Sequence, residues 1–184
     1  PSSRPTLNGS TCSNPWAKAT HSMKIGICVR ALQTDGNTAT AFVVADTLIR
    51  LGHSVTLLAP GPTSVGTENR PWAIIDLAQK RWESEVGLSK RLGRLFARED
   101  FDILIVLMGL PIPGVEGSFP FLPDRTVLVP MILGDREHVY QPLERTASFW
   151  NVALTISPGL QREVERRVTN RPARLHTLAI DVPD

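Results

Sequence analysis

From residue 23 onward, short apolar runs alternate with stretches in which apolar residues recur at the spacing of a helix face. Residues 24–30, Lys-Ile-Gly-Ile-Cys-Val-Arg, have the length of a strand. A polar turn follows, Thr34-Asp35-Gly36-Asn37-Thr38. Then Ala41, Phe42, Val44, Ala45, Leu48, Ile49 and Leu51 mark one face of a helix. Thr38 is expected to cap that helix through its hydroxyl. Gly52 is expected to end it, where a left-handed residue is needed. Residues 54–59 read as the next strand, stopped by Pro60-Gly61-Pro62. A strand, helix and strand joined this closely predict a parallel pair with a right-handed crossover.

The alternation continues to the end of the chain. Residues 72–76 predict a third strand and 83–98 a helix with Val86, Leu88, Leu92, Leu95 and Phe96 on one face. Residues 101–108 are apolar almost without interruption, as a strand covered on both faces should be. A long loop rich in Pro, Gly and Phe spans 109–124. Residues 125–131 predict another buried strand, and 137–150 a partial helix limited by Pro142. A strand at 152–156 is followed by a helix that Ser157 caps and Pro158 opens. Residues 174–179 form the last strand. The fold class is therefore α/β: a doubly wound, Rossmann-like parallel sheet in a three-layer αβα sandwich, one domain over 23–184. Residues 1–22 are polar and aperiodic and read as a disordered tail or an added segment, with Met23 as the natural start.

Composition narrows the function classes. With 184 residues the chain has room for one domain and a sizeable core. The formal net charge is +2, and the basic residues of 80–98 are interleaved with Glu83, Glu85 and Glu99, so no nucleic-acid partner is expected. No apolar run approaches the ~20 residues of a membrane helix, so no integral membrane segment is expected. Cys12 and Cys28 are too few and too dissimilar in setting for a disulfide framework or a metal site, and a reducing cytoplasm is the expected location. His53, at a helix–strand junction, is expected to make a local hydrogen bond.

Ligands of such sheets bind beyond the strand carboxyl ends, where strand order reverses. That points to the loops after residues 30, 59, 108 and 131. In the first loop, Gly36 and Asn37 stand at a helix N-terminus whose amides and dipole suit an anion such as a diphosphate, or serve only as a tight turn. The phosphate fingerprints of NAD and ATP proteins are absent. After the fourth strand, Gly109 opens a loop that either binds an acceptor or merely connects. After the fifth, Asp135, Arg136, Glu137 and His138 are the densest titratable cluster. Asp135 and His138 are the candidate catalytic acid and base; Arg136 and Glu137 are candidates for phosphate and hydroxyl groups, or the turn simply caps a helix. Ser157 is a helix cap or a ligand contact.

The order of these segments resembles GT-B-fold glycosyltransferases of the family 4 type. The resemblance lies in the first strand and its Gly turn, in Leu48-Ile-Arg-Leu-Gly-His-Ser-Val55, in Phe101-Asp-Ile-Leu-Ile-Val106, in Ala153-Leu-Thr-Ile-Ser-Pro-Gly-Leu160 and in Leu178-Ala-Ile-Asp-Val-Pro-Asp184. It differs in having one glycine in the first loop and Gly109-Leu-Pro where that family commonly has a histidine. The resemblance implies the N-terminal, acceptor-side half of a retaining enzyme of the hexosyltransferase class. Such an enzyme moves a sugar from a nucleotide-sugar co-substrate to a small-molecule or glycan acceptor and needs no other cofactor. The partner implied is a C-terminal nucleotide-sugar-binding domain, absent from this chain, without which the half is expected to be inactive. Gly36 would then lie near the donor diphosphate, and residues 135–138 would hold the acceptor. The alternatives are a non-catalytic Rossmann-like binding or scaffold module, and an unrelated Rossmann-like enzyme using residues 135–138.

Overall fold

A computed structural model of the chain describes residues 21–60, 65–67, 69–108, 111–169 and 174–177. Seven parallel strands form one sheet: β1 (Lys24–Cys28), β2 (Ser54–Ala59), β3 (Ala73–Asp76), β4 (Ile103–Met108), β5 (Val127–Ile132), β6 (Val152–Thr155) and β7 (Arg174–Thr177). The strand order is β3-β2-β1-β4-β5-β6-β7. β1 lies between β2 and β4, with Ile27 opposite both Leu57 and Ile105. The sheet grows from β1 toward β3 on one side and from β4 toward β7 on the other. The reversal falls between β1 and β4, and with every pair parallel all the strand carboxyl ends share one edge.

Four helices cover the two faces: α1 (Gly36–Arg50), α2 (Glu85–Glu99), α3 (Glu137–Thr146) and α4 (Pro158–Arg167). Alternation along the buried strands supplies both cores. Ile25, Ile27, Ile105, Leu107, Val129 and Met131 pack on the side of α1, with Ala41 and Ala45. Leu104, Val106, Met108, Leu128 and Ile132 pack on the opposite side with Leu88, Leu92 and Phe96 of α2, Tyr140 and Leu143 of α3, and Leu160 and Val164 of α4. The expected three-layer, Rossmann-like α/β fold is the one observed.

Several local details differ from expectation. Asp35, not Thr38, caps α1: its carboxylate accepts from the Thr38 amide at 2.7 Å. Thr38 is buried and turned the other way, donating from Oγ1 to the Ala31 carbonyl and accepting from the Gln33 amide. α2 starts later than its apolar pattern suggested, because Ser84 is its cap. Pro142 sits inside α3 rather than ending it, and the helix runs on to Thr146. Residues 109–124 contain a 3-10 helix, Glu116–Phe121, that packs on α2. The contact is close because glycines line it: a Cβ on Gly93 would lie 2.5 Å from that of Phe121. Gly52 ends the α1 turn at φ +90, as its place in the pattern required. His53 accepts from the Met23 amide at 3.4 Å, a partner across the sheet end rather than the local one expected. Cys28 is buried and free, and burial pushes its thiol up. Cys12, the tail before residue 21, and the segment from Leu178 onward lie outside the described residues. Among the described residues no helix is long and apolar enough to cross a membrane.

Candidate functional site

The carboxyl edge at the β1–β4 reversal brings together the loop after β1, the segment after β4 and the turn after β5. The β1 loop is preorganised. The Asp35 amide donates to the Gln33 carbonyl at 2.8 Å, and the Gln33 side chain donates to the Asp35 carboxylate at 3.1 Å. Slight burial pushes the Asp35 carboxyl up. Hydrogen bonds from the Thr38 amide, the Gln33 side chain and the Asn37 amide outweigh that and leave it below the usual carboxylate range. The amides that this helix start would offer an anion are thus already engaged by a carboxylate on the same chain. Gly36 is exposed, and a Cβ there would meet nothing within 4 Å. Its φ is not left-handed, so the turn itself does not require glycine. Asn37 is half-buried beside it.

The start of α3, one strand beyond β4, is different in kind. Its cap residue is Arg136, whose side chain makes no capping bond, and the Val139 amide donates to the Arg136 carbonyl at 2.9 Å. The helix dipole there favours an anion. Arg136 is exposed and forms no ion pair among the described residues. Both neighbouring acids have partners. Asp135 accepts from the Tyr140 hydroxyl at 2.7 Å. Glu137 pairs with Arg167 of α4. Arg167 also lies 4.3 Å from the Tyr140 ring centroid and bonds Glu163 at 2.6 Å. Burial first, and then the bond to Asp135, pushes the Tyr140 hydroxyl up, so it stays a donor. Tyr140 and Arg167 therefore fix the turn after β5 from beneath.

His138 is half-buried and lines a small apolar cavity of about 10 Å³ at the end of β4. Val106, Met108, Ile112, Pro142 and Glu116 share that cavity. Glu116, at the start of the 3-10 helix, pairs with Arg145 at 3.1 Å and keeps only a fifth of its side chain exposed. An imidazole and a carboxylate thus face one space at the strand end, a combination suited to moving a proton. In the sequence Glu116 is an acid within the long loop 109–124, with no motif around it. Its nearness to His138 depends on how that loop folds back, which no local pattern announces.

The remaining predicted residues are dispersed. Ser157 caps α4, accepting from the Leu160 amide at 3.2 Å. It follows β6, two strands from β4, so it stands apart from the reversal. Gly109 lies outside the described residues. The structure thus gathers Gly36 and Asn37 on one side of β4 and Asp135, Arg136, Glu137 and His138 on the other. Among the described residues no cluster of three or more His, Cys, Asp or Glu suits a metal ion.

No known protein-family pattern matches the chain, and no curated protein matches it in sequence. Solved structures do match. A glycosyltransferase from Rickettsia africae superposes with a TM-score of 0.59 at 11% identity, over 85% of this chain and 43% of that one. An alpha-glucosyltransferase in complex with UDP-glucose and DNA containing an abasic site gives 0.53 at 18% identity, over 86% of this chain and 42% of its own. An alpha-glucosyltransferase in complex with UDP gives 0.53 at 18%, over 85% and 43%. The chain spans less than half the length of these structures, and within that span it has the fold of a glycosyltransferase domain.

Proposed function

We propose that the chain is the acceptor-side half of a retaining, GT-B-type glycosyltransferase of the family 4 type that uses a nucleotide-sugar. The observation that carries the proposal is the β1–β4 reversal, with Gly36 and residues 135–138 on either side of it, in a fold matched over 85% of the chain and 43% of glycosyltransferase structures. In sugar transfer an acceptor hydroxyl oxygen bonds to the sugar C1, the C1–oxygen bond to the diphosphate breaks, and the diphosphate leaves with the electron pair. The acceptor hydroxyl gives up its proton in the same process. His138, beside Glu116, is the proposed proton-handling group on the acceptor side. Asp135, held by Tyr140, is proposed to accept an acceptor hydroxyl with its second oxygen. Arg136 and the uncapped α3 start are proposed to face the developing diphosphate charge. Asp35 makes the Gly36 turn a poorer anion site, and Gly36 instead leaves room for the donor to pass close to the backbone. A second domain closes the cleft, holds the nucleotide and excludes water.

One observation favours the non-catalytic binding module as a second reading: both acids of the β5 turn already have structural partners. Transfer assays on the chain alone and with a separately supplied donor-binding domain separate the two. The proposal expects no turnover alone and sugar transfer on reconstitution, abolished by His138→Ala. Turnover by the chain alone contradicts the half-enzyme reading, and silence in both assays supports the binding module.

A further inference from the structure

One feature near the same edge has no part in the chemistry above. Trp82, in the turn between β3 and α2, is 90% exposed, whereas Trp72 and Trp150 are buried. Its φ is +69, a left-handed conformation that a bulky residue adopts only where the surroundings impose it. The surroundings do impose it. Arg91 grips the Glu83 carboxylate with two bonds, at 2.9 and 3.0 Å, and the Ala78 carbonyl with a third at 2.8 Å. The Lys80 amide donates to the Glu83 carboxylate, the Glu83 amide to the Lys80 carbonyl, and the Gln79 side chain to the Glu83 carbonyl. This bracing fixes the backbone on both sides of Trp82 while leaving the indole in water. The Arg81 guanidinium stands 5.3 Å from the ring centroid.

An indole so exposed adds nothing to the core, and a rigid, strained turn that presents it is built for something outside the chain. The turn follows β3, so it lies on the carboxyl edge. β3 stands two strands from β1, about 10 Å along that edge. We propose that Trp82 is a stacking platform for a sugar ring of an oligosaccharide acceptor lying along the sheet edge toward the β1–β4 reversal. The word acceptor rests on the proposed transferase reading; the saccharide contact does not. An aromatic face takes the C–H face of a pyranose, while Arg81 beside it offers donors to ring hydroxyls. A nucleobase platform would instead need excess cations for the phosphates, and Lys80, Arg81 and Arg91 are matched by Asp76, Glu83 and Glu85.

The test follows the indole N–H resonance of Trp82 in the isotopically labelled chain, identified by its loss in Trp82→Phe. Maltotetraose, cellotetraose and chitotetraose are titrated separately, then an oligothymidylate. The proposal expects at least one tetrasaccharide to move the Trp82 resonance at millimolar concentration, and Trp82→Ala to weaken that binding by about tenfold with an unchanged melting curve. Trp82→Phe keeps a ring and should weaken it less. No shift with any tetrasaccharide at about 20 mM, equal binding by Trp82→Ala, or a stronger response to oligothymidylate overturns it. The reconstitution assay reports on the other reading separately: saccharide binding at Trp82 with no sugar transfer on reconstitution leaves the platform standing and removes the transferase assignment.

Discussion

At the scale of single residues, the Asp35 cap and the glycines give the sharpest expectations. Removing the carboxylate in Asp35→Ala should cost about 1 kcal/mol, read from urea unfolding, because a first-turn amide loses its acceptor. The folded pKa of Asp35 is lowered. Its contribution is therefore full above the ordinary aspartate value and is lost as pH falls through the lowered folded value. The stability gap between wild type and Asp35→Asn should accordingly shrink in acid. Gly114 and Gly134 form a matched pair. Gly114 has φ +74, and a Cβ there would lie 2.5 Å from Leu88 Cγ; Gly134 has open space around it. Gly114→Ala should lower stability by about 2 kcal/mol or more, and Gly134→Ala by less than about 0.5 kcal/mol. Gly36→Val meets no neighbour. It should leave the melting temperature nearly unchanged and impair donor binding in the two-domain enzyme; a large melting loss instead would assign Gly36 to the turn alone.

At the scale of elements, α3 and α4 are held by one arginine. Arg166 first, and Arg167 next, hold the Glu163 carboxyl down at about 2, so this pairing is present above the ordinary glutamate range and fades as pH falls toward that value. In Arg167→Ala the Glu163 carboxyl resonance should titrate at higher pH, and the Tyr140 ring signals should shift as their stacking partner goes. Most elements were legible from the sequence because strand runs and helix stripes are local and periodic. β4 and α1 are the clearest cases. Their ends were not, because the first turn of a helix is polar and carries no period: Asp35 and Ser84 cap where Thr38 and the start at Glu83 had been expected. Pro142 misled in the other direction, since packing of Val139, Tyr140 and Leu143 into the core carries α3 past a residue that weakens it. The 3-10 helix was hidden for the same reason, a single short turn having no stripe to read. The site divides likewise. Sequence order alone places residues 36 and 135–138 at the strand ends, whereas the sharing of one cavity by Glu116 and His138 is set by tertiary packing.

At the scale of the whole molecule, the account stands on a parallel sheet whose carboxyl edge forms one wall of a cleft. Both faces of the central strands are covered by the chain's own helices. The cavity that His138 and Glu116 share at that edge is barely large enough for one water molecule. The most direct measurement is an amide chemical-shift map of the labelled chain titrated with UDP-glucose. The account predicts weak, saturable shifts confined to residues 30–38 and 133–139, lost in Arg136→Ala. Shifts centred on another edge of the sheet, or no shift at about 10 mM ligand, would contradict it.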